Sequence, residues 1–292
     1  MNITMSKYQG LGNDYLVLDP NKNDMELNEN AIRMICDRNF GAGSDGILYG
    51  PIMKGSTICV KIYNPDGSEA EKSGNGVRIF GKYLLDQGYV KKSPVELSTL
   101  GGMVEIEYLN MRGTEIRVNM GKVSFASGKI PVTGDNREII NESMVFHDRL
   151  YNTTCVSVGN PHCVIMMEKV TKEDAMEIGP YVEHSPNFPQ RINTQLCHVI
   201  DRNNIEIEIY ERGAGYTLAS GTSACAAAAA AYKMGLTDET ISVHMPGGVL
   251  DIKINEDHTV SMVGSVQYIG DISLAEEFLE TEAEGQKKES CA

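Results

Sequence analysis

A chain of 292 residues, 41% of them apolar and 23% charged, has the composition of an ordinary globular protein and the length of two average domains. Its net charge of −14 argues against nucleic acid or an anionic membrane as a partner, and no apolar run approaches the roughly 18–20 residues that span a bilayer. The seven cysteines are scattered and lack CxxC spacing, which argues against a disulfide framework or a metal site and favours free thiols in the cytoplasm.

The first half of the chain predicts strands around one central helix. Residues 14–19 are strand-like, residues 28–38 have helical apolar spacing, and residues 58–63 alternate as a strand does. Residues 73–85 predict the central helix. A glycine pair at 101–102 then precedes another alternating strand.

The second half predicts the same kind of lobe. Thr171 and Asp174 fit a capping box that opens a helix, and residues 205–210 alternate isoleucine with polar residues. Residues 220–234 predict a central helix that is small and apolar on every face, so we expect it to be buried on every face. The run 259–269 returns the chain to the first lobe.

The two halves repeat at an offset of 147 residues. Four anchors share this register, and they are Asn13 with Asn160, Tyr63 with Tyr210, Ser73-Gly74 with Ser220-Gly221, and Gly88 with Gly235. Such agreement predicts a gene duplication. We therefore expect an α/β (α+β) protein of two pseudo-symmetric lobes, each a curved antiparallel-rich sheet or barrel around a central helix. Lobe one is placed at 1–120 plus about 268–282, lobe two at 121–267, and a disordered tail at 283–292.

The starts of the two central helices carry the same chemistry. Each begins with serine followed by glycine, in Ser-Gly-Asn-Gly at 73–76 and Ser-Gly-Thr-Ser at 220–223. Serine is a preferred N-cap, and the free backbone N–H groups of a first turn attract a carboxylate. We expect the two starts to converge on one amino-acid site. Two charged residues precede the start of the second central helix. The guanidinium of Arg212 can donate two hydrogen bonds to another carboxylate, and the carboxylate of Glu211 can accept a hydrogen bond from an ammonium group.

Residues 41–46 fit GxGxxG but do not predict a dinucleotide site. The segment follows a helix and precedes a strand, whereas the dinucleotide fingerprint needs a strand, a turn and then a helix. No Walker motif occurs, and no local pattern indicates a pyridoxal lysine. We expect no cofactor and no metal.

The motifs together resemble the diaminopimelate epimerase family over essentially the whole ordered chain. They are the segments at 10–14, 64–69, 73–78, 159–162, 188–193, 211–215 and 220–222. The resemblance implies a cofactor-independent isomerase that interconverts LL- and meso-diaminopimelate for lysine biosynthesis by removing the α-proton on one face and returning a proton on the other. It also implies a small-molecule substrate and, as for many such enzymes, a homodimer.

The resemblance assigns roles to residues of this chain. Ser73 and Ser220 occupy the two acid–base positions, and His162 and Glu211 tune their pKa values. The substrate would be bound by side chains and by backbone N–H groups of the helix starts, which are Asn13, Asn64, Gly74, Asn75, Asn160, Asn193, Glu211, Arg212, Gly221 and Thr222.

Serine at positions 73 and 220 departs from the family, which has cysteine at both. A serine hydroxyl is a far weaker acid than a thiol and needs a neighbouring base. Three explanations stay open: a natural serine variant that works on this or another amino acid, an engineered replacement of both cysteines, or a binding protein that kept the pocket and lost the chemistry. Gly46 is a second departure, because many members place a polar substrate contact there.

Overall fold

The structure, a computed structural model, describes residues 3–71 and 73–279 and divides the chain into two compact units. Unit 1 draws on Met1–Ile116 and Ser265–Ala292, and unit 2 is the continuous segment Arg117–Gly264. The sequence placed these divisions at 120/121 and 267/268, a few residues further on. The predicted tail at 283–292 lies outside the described residues. Within them, no helix is both long and apolar enough to cross a membrane.

Up to residue 116, the described part of unit 1 consists of short strands and two helices. In chain order these are β1 (Ile3–Gly10), β2 (Asn13–Leu18), α1 (Glu29–Cys36), β3 (Ile47–Lys54), β4 (Thr57–Tyr63), β5 (Glu69–Ala70), α2 (Gly74–Asp86), β6 (Val95–Thr99) and β7 (Gly102–Tyr108). The next strand, β8 (Glu115–Lys122), carries the chain into unit 2.

Unit 2 repeats this order. Its elements are β9 (Glu142–Phe146), β10 (Arg149–Ser157), β11 (Pro161–Met166), α3 (Lys172–Glu183), β12 (Asn193–Asp201), β13 (Asn204–Glu211), β14 (Gly215–Thr217), α4 (Gly221–Lys233), β15 (Thr240–Met245) and β16 (Gly248–Ile254). Then β17 (Thr259–Ser265) leads back to unit 1, where β18 (Gln267–Leu274) is the final strand. The predicted run 259–269 is thus two strands, separated at Val266.

Strand pairing confirms that the lobes are duplicates. In unit 1 the pairs β2–β3 and β4–β6 are parallel and the other neighbours antiparallel, and in unit 2 the parallel pairs are β11–β12 and β13–β15. The register Leu16 with Ile47 recurs 147 residues on as Cys163 with Thr194. Within the described residues all strands belong to one 18-stranded sheet that is not closed, so the predicted alternative of a barrel is wrong.

The two central helices, α2 and α4, begin and end at equivalent positions. Every residue from Gly74 to Leu84 is buried in α2, and all residues from Ser223 to Ala231 are buried in α4. The prediction of an alanine-rich helix buried on all faces is therefore confirmed. Small side chains allow the surrounding strands to approach such a helix closely, and alanine is also the best helix former.

Matched glycines end the two helices. Gly88 and Gly235 adopt φ values of 74° and 73°, in the left-handed region that favours glycine. The next residues donate backwards, Tyr89 N–H to the Leu84 carbonyl (2.9 Å) and Leu236 N–H to the Ala231 carbonyl (3.0 Å). This is the Schellman pattern, which satisfies carbonyls that a helix end leaves free.

Candidate active site

Ser73 caps the first turn of α2. Its Oγ accepts a hydrogen bond from Gly76 N–H at 3.0 Å, and the Tyr15 hydroxyl donates to the same Oγ at 3.3 Å. Gly74 and Asn75 follow, both buried, and their backbone N–H groups belong to the four donors that a helix cannot satisfy internally. The start of α2 therefore presents a hydroxyl beside donors suited to an anion.

Asn13 and Asn75 meet at this helix start. The amide of Asn75 donates to Oδ1 of Asn13 at 3.2 Å, and Asn13 in turn donates to the Asp45 carboxylate at 2.9 Å. Arg78, which is fully buried, donates to Oδ1 of Asn75 at 2.7 Å and to the Gly74 carbonyl at 3.2 Å. We call Ser73, Asn13 and Asn75 the α2-start cluster.

Asn64 lies in the turn between β4 and β5. Its side chain donates to the Ser68 hydroxyl at 3.0 Å, and its backbone N–H donates to the Ser68 carbonyl at 2.8 Å. These bonds fix the predicted turn at 64–69. They do not link Asn64 to the α2-start cluster, so its predicted contact with substrate stays a prediction.

Ser220 caps α4 in the same way, although the cap is looser. Its Oγ accepts from Ser223 N–H at 3.4 Å and lies 3.4 Å from the Thr222 hydroxyl. Gly221 and Thr222 form the start of this first turn. Asn160 donates to the Thr222 hydroxyl at 3.5 Å, as its counterpart Asn13 contacts Asn75. We call Ser220, Thr222, Asn160 and His162 the α4-start cluster.

His162 is completely buried and neutral. Its Nε2 lies 2.9 Å from Oδ1 of Asn160. Burial, which disfavours the charged imidazolium, lowers its pKa to about 3, and the positive charge of Arg212 acts in the same direction. The predicted role of His162 as a group that tunes a neighbouring acid stays a prediction, and it would act as an uncharged imidazole.

Glu211 places a carboxyl group beside Ser220. Burial raises the pKa of this carboxyl, and the hydroxyls of Ser220 and Thr217 offset part of that rise. A carboxylate in such surroundings is a stronger base than a solvated one. A serine hydroxyl needs such a neighbouring base if it is to accept a proton from carbon, and the role of Glu211 beside Ser220 stays a prediction.

Asn193 is hydrogen-bonded to Arg212 rather than to the α4-start cluster. The Arg212 backbone N–H donates to Oδ1 of Asn193 at 2.9 Å, while the Asn193 amide donates to the Pro161 carbonyl at 2.8 Å. The guanidinium of Arg212 is exposed and donates to the Gln190 carbonyl at 3.1 Å. The predicted contact of Arg212 with a second carboxylate stays a prediction.

The two clusters are chemically unequal although they are structural equivalents. At the offset of 147 residues, Tyr15 corresponds to His162, Asn64 to Glu211 and Arg78 to Cys225. Unit 2 thus has a carboxyl base and an imidazole where unit 1 has a phenol and an amide. Unit 1 has instead a buried cation on the first turns of its helix, which increases the positive potential there.

Five side chains that contact these clusters were not predicted as site residues from the sequence. Tyr15, Asp45, Arg78, Gln195 and Ser223 all contact a predicted site residue or a direct neighbour of one. Tyr15 and Ser223 could have been found, because one corresponds to His162 and the other closes the capping motif. Gln195 and Asp45 carry no such signal, since strand and loop pairing alone bring them into contact.

Residues 41–46 form a loop between α1 and β3, as predicted, and explain the glycine at position 46. A Cβ placed on Gly46 would lie 2.3 Å from the Tyr63 carbonyl oxygen and 2.7 Å from the Tyr15 ring. No side chain fits there, so this position cannot supply a polar contact to substrate. Asp45 of the same loop instead orients Asn13 and forms an ion pair with Arg38 at 2.7 Å.

The described residues contain no group of three or more His, Cys, Asp or Glu side chains that could hold a metal ion. Their six cysteines are free thiols, and burial raises the pKa of Cys197 to about 12. None of them takes the place of Ser73 or Ser220 in the two clusters.

The fold is shared with solved amino-acid racemases and epimerases. A probable proline racemase from Agrobacterium radiobacter superposes with a TM-score of 0.69 at 12% identity, covering 94% of this chain and 93% of that one. A hydroxyproline epimerase from Agrobacterium vitis gives 0.67 at 11% identity, covering 94% and 91%.

Sequence comparison is more specific. The family model described as diaminopimelate epimerase matches residues 5–126 and 154–269, so the chain belongs to that family. It is 48% identical to diaminopimelate epimerase 2 of Nostoc sp. over 277 residues, covering 94% of this chain and 97% of the relative. It is 37% identical to the diaminopimelate epimerase of Desulfitobacterium hafniense over 269 residues, covering 90% and 95%. The resemblance inferred from the motifs is confirmed.

Proposed function

We propose that this protein inverts the α-carbon of diaminopimelate, interconverting the LL and meso forms without a cofactor. One observation carries the proposal: each unit starts its buried central helix with a serine hydroxyl next to free N–H donors, at positions where the family has its acid–base groups. The donors suit the α-carboxylate, whose negative charge grows as the α-proton leaves. Each unit thus carries one hydroxyl at such a position and its own N–H donors for a carboxylate.

Substrate selection follows from the polar residues around the clusters. Arg212 keeps an exposed guanidinium for a second carboxylate, and the amides of Asn13, Asn64, Asn160 and Asn193 provide further donors and acceptors. A substrate with a distant zwitterionic end satisfies these groups. A small monofunctional amino acid would supply no second carboxylate to Arg212 and would gain nothing from this guanidinium.

The serines decide how fast the reaction runs. On the unit 2 side, Ser220 passes its proton to the Glu211 carboxylate while its Oγ takes the α-proton, so that the hydroxyl is regenerated, Glu211 becomes neutral, and the negative charge is left on the substrate beside its α-carboxylate. On the unit 1 side, Ser73 is accompanied by the Tyr15 phenol, which is a proton donor at neutral pH. We therefore expect proton removal to be faster on the Ser220 side than on the Ser73 side.

Proton NMR of diaminopimelate in D₂O tests the proposal. We expect slow loss of the α-proton signal with the parent protein and faster loss with the double variant Ser73→Cys/Ser220→Cys, because a thiolate is a far more accessible base. Exchange only in the double variant would mean an intact site without a working base. If neither protein exchanges or binds diaminopimelate, the substrate assignment is wrong.

Three further expectations accompany the proposal. A cytoplasmic location and a homodimer stay predictions, which cell fractionation and light scattering test directly. The absence of nucleic acid as a partner stays a prediction as well. It follows from the net charge of −14 and is tested by a gel-shift assay at low salt.

A further inference from the structure

A line of buried polar side chains lies behind the first turn of α4. Gln195, on β12, donates to the Ser223 hydroxyl at 3.0 Å, and both residues are fully buried. The next member is His162, whose Nε2 lies 2.9 Å from Oδ1 of Asn160. Asn160 then donates to the Thr222 hydroxyl at 3.5 Å. The line therefore connects the core of unit 2 to the α4-start cluster.

Between His162 and Gln195, two polar atoms of this line lack a hydrogen bond. Nδ1 of His162 and Oε1 of Gln195 are both buried, and within the described residues neither has a hydrogen-bond partner. Yet the parallel pairing of β11 with β12, which sets His162 opposite Asn193 and Val164 opposite Gln195, places His162 and Gln195 on the same face of neighbouring strands. With the ring proton on Nε2, both of these atoms are acceptors, and two acceptors cannot bond to each other.

Two arrangements give both Nδ1 of His162 and Oε1 of Gln195 a hydrogen-bond partner. In the first, the Gln195 amide is turned over, its NH₂ donates to Nδ1, and Ser223 donates to its oxygen. Nε2–H of His162 then donates to Asn160, whose NH₂ faces Thr222. In the second, Nδ1–H donates to Gln195, and Asn160 must turn over so that its oxygen faces Thr222. Amide oxygen and nitrogen have the same shape, so packing does not choose between them.

We propose that Gln195 is a positioning residue that holds His162 in the Nε2–H tautomer and so directs the NH₂ of Asn160 toward the substrate anion. The inference rests on the proposed function, because a carboxylate at the start of α4 requires donors and not a carbonyl oxygen. It also gives the Ser223 hydroxyl proton an acceptor within the buried core.

Unit 1 orients its own asparagine by another device. The Asp45 carboxylate can only accept, so the amide nitrogen of Asn13 must face it, and Oδ1 of Asn13 faces Asn75. In unit 2 the uncharged side chain of Gln195 orients Asn160 indirectly, by fixing the tautomer of His162. The two equivalent asparagines consequently present opposite ends to their helices.

Nitrogen-15 NMR of the histidine-labelled full-length protein measures the tautomer directly. We expect Nε2 of His162 to be protonated and Nδ1 to be an unprotonated acceptor, unchanged between pH 8 and pH 5. In Gln195→Glu the carboxylate can only accept, so the proton should appear on Nδ1. A proton on Nδ1 in the parent protein would overturn the proposal.

A binding measurement completes the test. Gln195→Met keeps the side-chain volume but removes the donor, so we expect the dissociation constant for LL-diaminopimelate to rise about tenfold, as for one lost hydrogen bond to a charged group. Gln87→Met, at an exposed position at the far end of α2, is the matched control and should bind normally. Equal affinity in the two variants would overturn the proposal. The tautomer result is independent of substrate, so failure of the proposed function is recognised separately by absent binding in the parent.

Discussion

Acid should destabilise this protein through His162 in a way that can be measured. The pKa of this buried histidine is lowered to about 3 in the folded state, against about 6.5 in an unfolded chain. The folded protein therefore stays neutral at this site while the unfolded chain takes up a proton. Above pH 6.5 His162 is neutral in both states and costs no stability. As pH falls from 6.5 toward 3, only the unfolded chain binds the proton, so the free energy of unfolding decreases. At pH 5 the loss amounts to about 2 kcal/mol in the free energy of unfolding.

Urea unfolding at pH 7.5 and at pH 5.0 measures this loss against a variant that cannot titrate. His162→Gln removes the ionisable group, so its stability should fall less between the two pH values than that of the parent, by about 2 kcal/mol. The variant will be less stable at both pH values, because it disturbs a buried contact with Asn160, but only the difference between pH values matters. Equal pH dependence in the two proteins would refute the argument that burial keeps His162 neutral.

Three further substitutions test other parts of the molecule. Glu211→Gln should slow α-proton exchange about a hundredfold, because it removes the base beside Ser220. The control Glu208→Gln, on the same strand, should have little effect. Exchange rates measured by NMR for the two variants test this prediction. Gly46→Ala should destabilise the protein by more than about 2 kcal/mol, measured by urea unfolding, because its Cβ would meet the Tyr63 carbonyl; a stable variant would contradict the predicted clash. Gly88→Ala and Gly235→Ala should each cost about 1 kcal/mol, because open space surrounds both Cβ positions and only backbone strain remains. Unequal costs would contradict the equivalence of the two helix ends.

The repeat made much of the fold predictable. Because Ser73 and Ser220 share one register, the bounds of α2 predicted those of α4, and both helices begin one residue after their serine caps. Local chemistry also predicted the Thr171 cap, whose hydroxyl accepts from Asp174 N–H at 3.1 Å. These features depend on residues close together in the sequence, where spacing is informative.

Contacts between distant segments could not be predicted in this way. Gln195 meets Ser223 only because β12 packs against α4, and Asp45 reaches Asn13 only because β2 and β3 pair in parallel. The repeat also does not predict every register. Ile58 pairs with Leu97, so the offset of 147 predicts that Ile205 pairs with His244, but Ile205 pairs with Val243 instead. Convergence of Ser73 and Ser220 on one substrate stays a prediction.

The order of strands along the chain has a consequence for synthesis on the ribosome. β1, which is translated before the other described strands, pairs with β18, the last one described, from Ile3 with Leu274 onward. Unit 2 is one uninterrupted segment and has all of its residues available earlier. We therefore expect the inserted unit to mature first, while β1 keeps an unpaired edge until β18 has been translated.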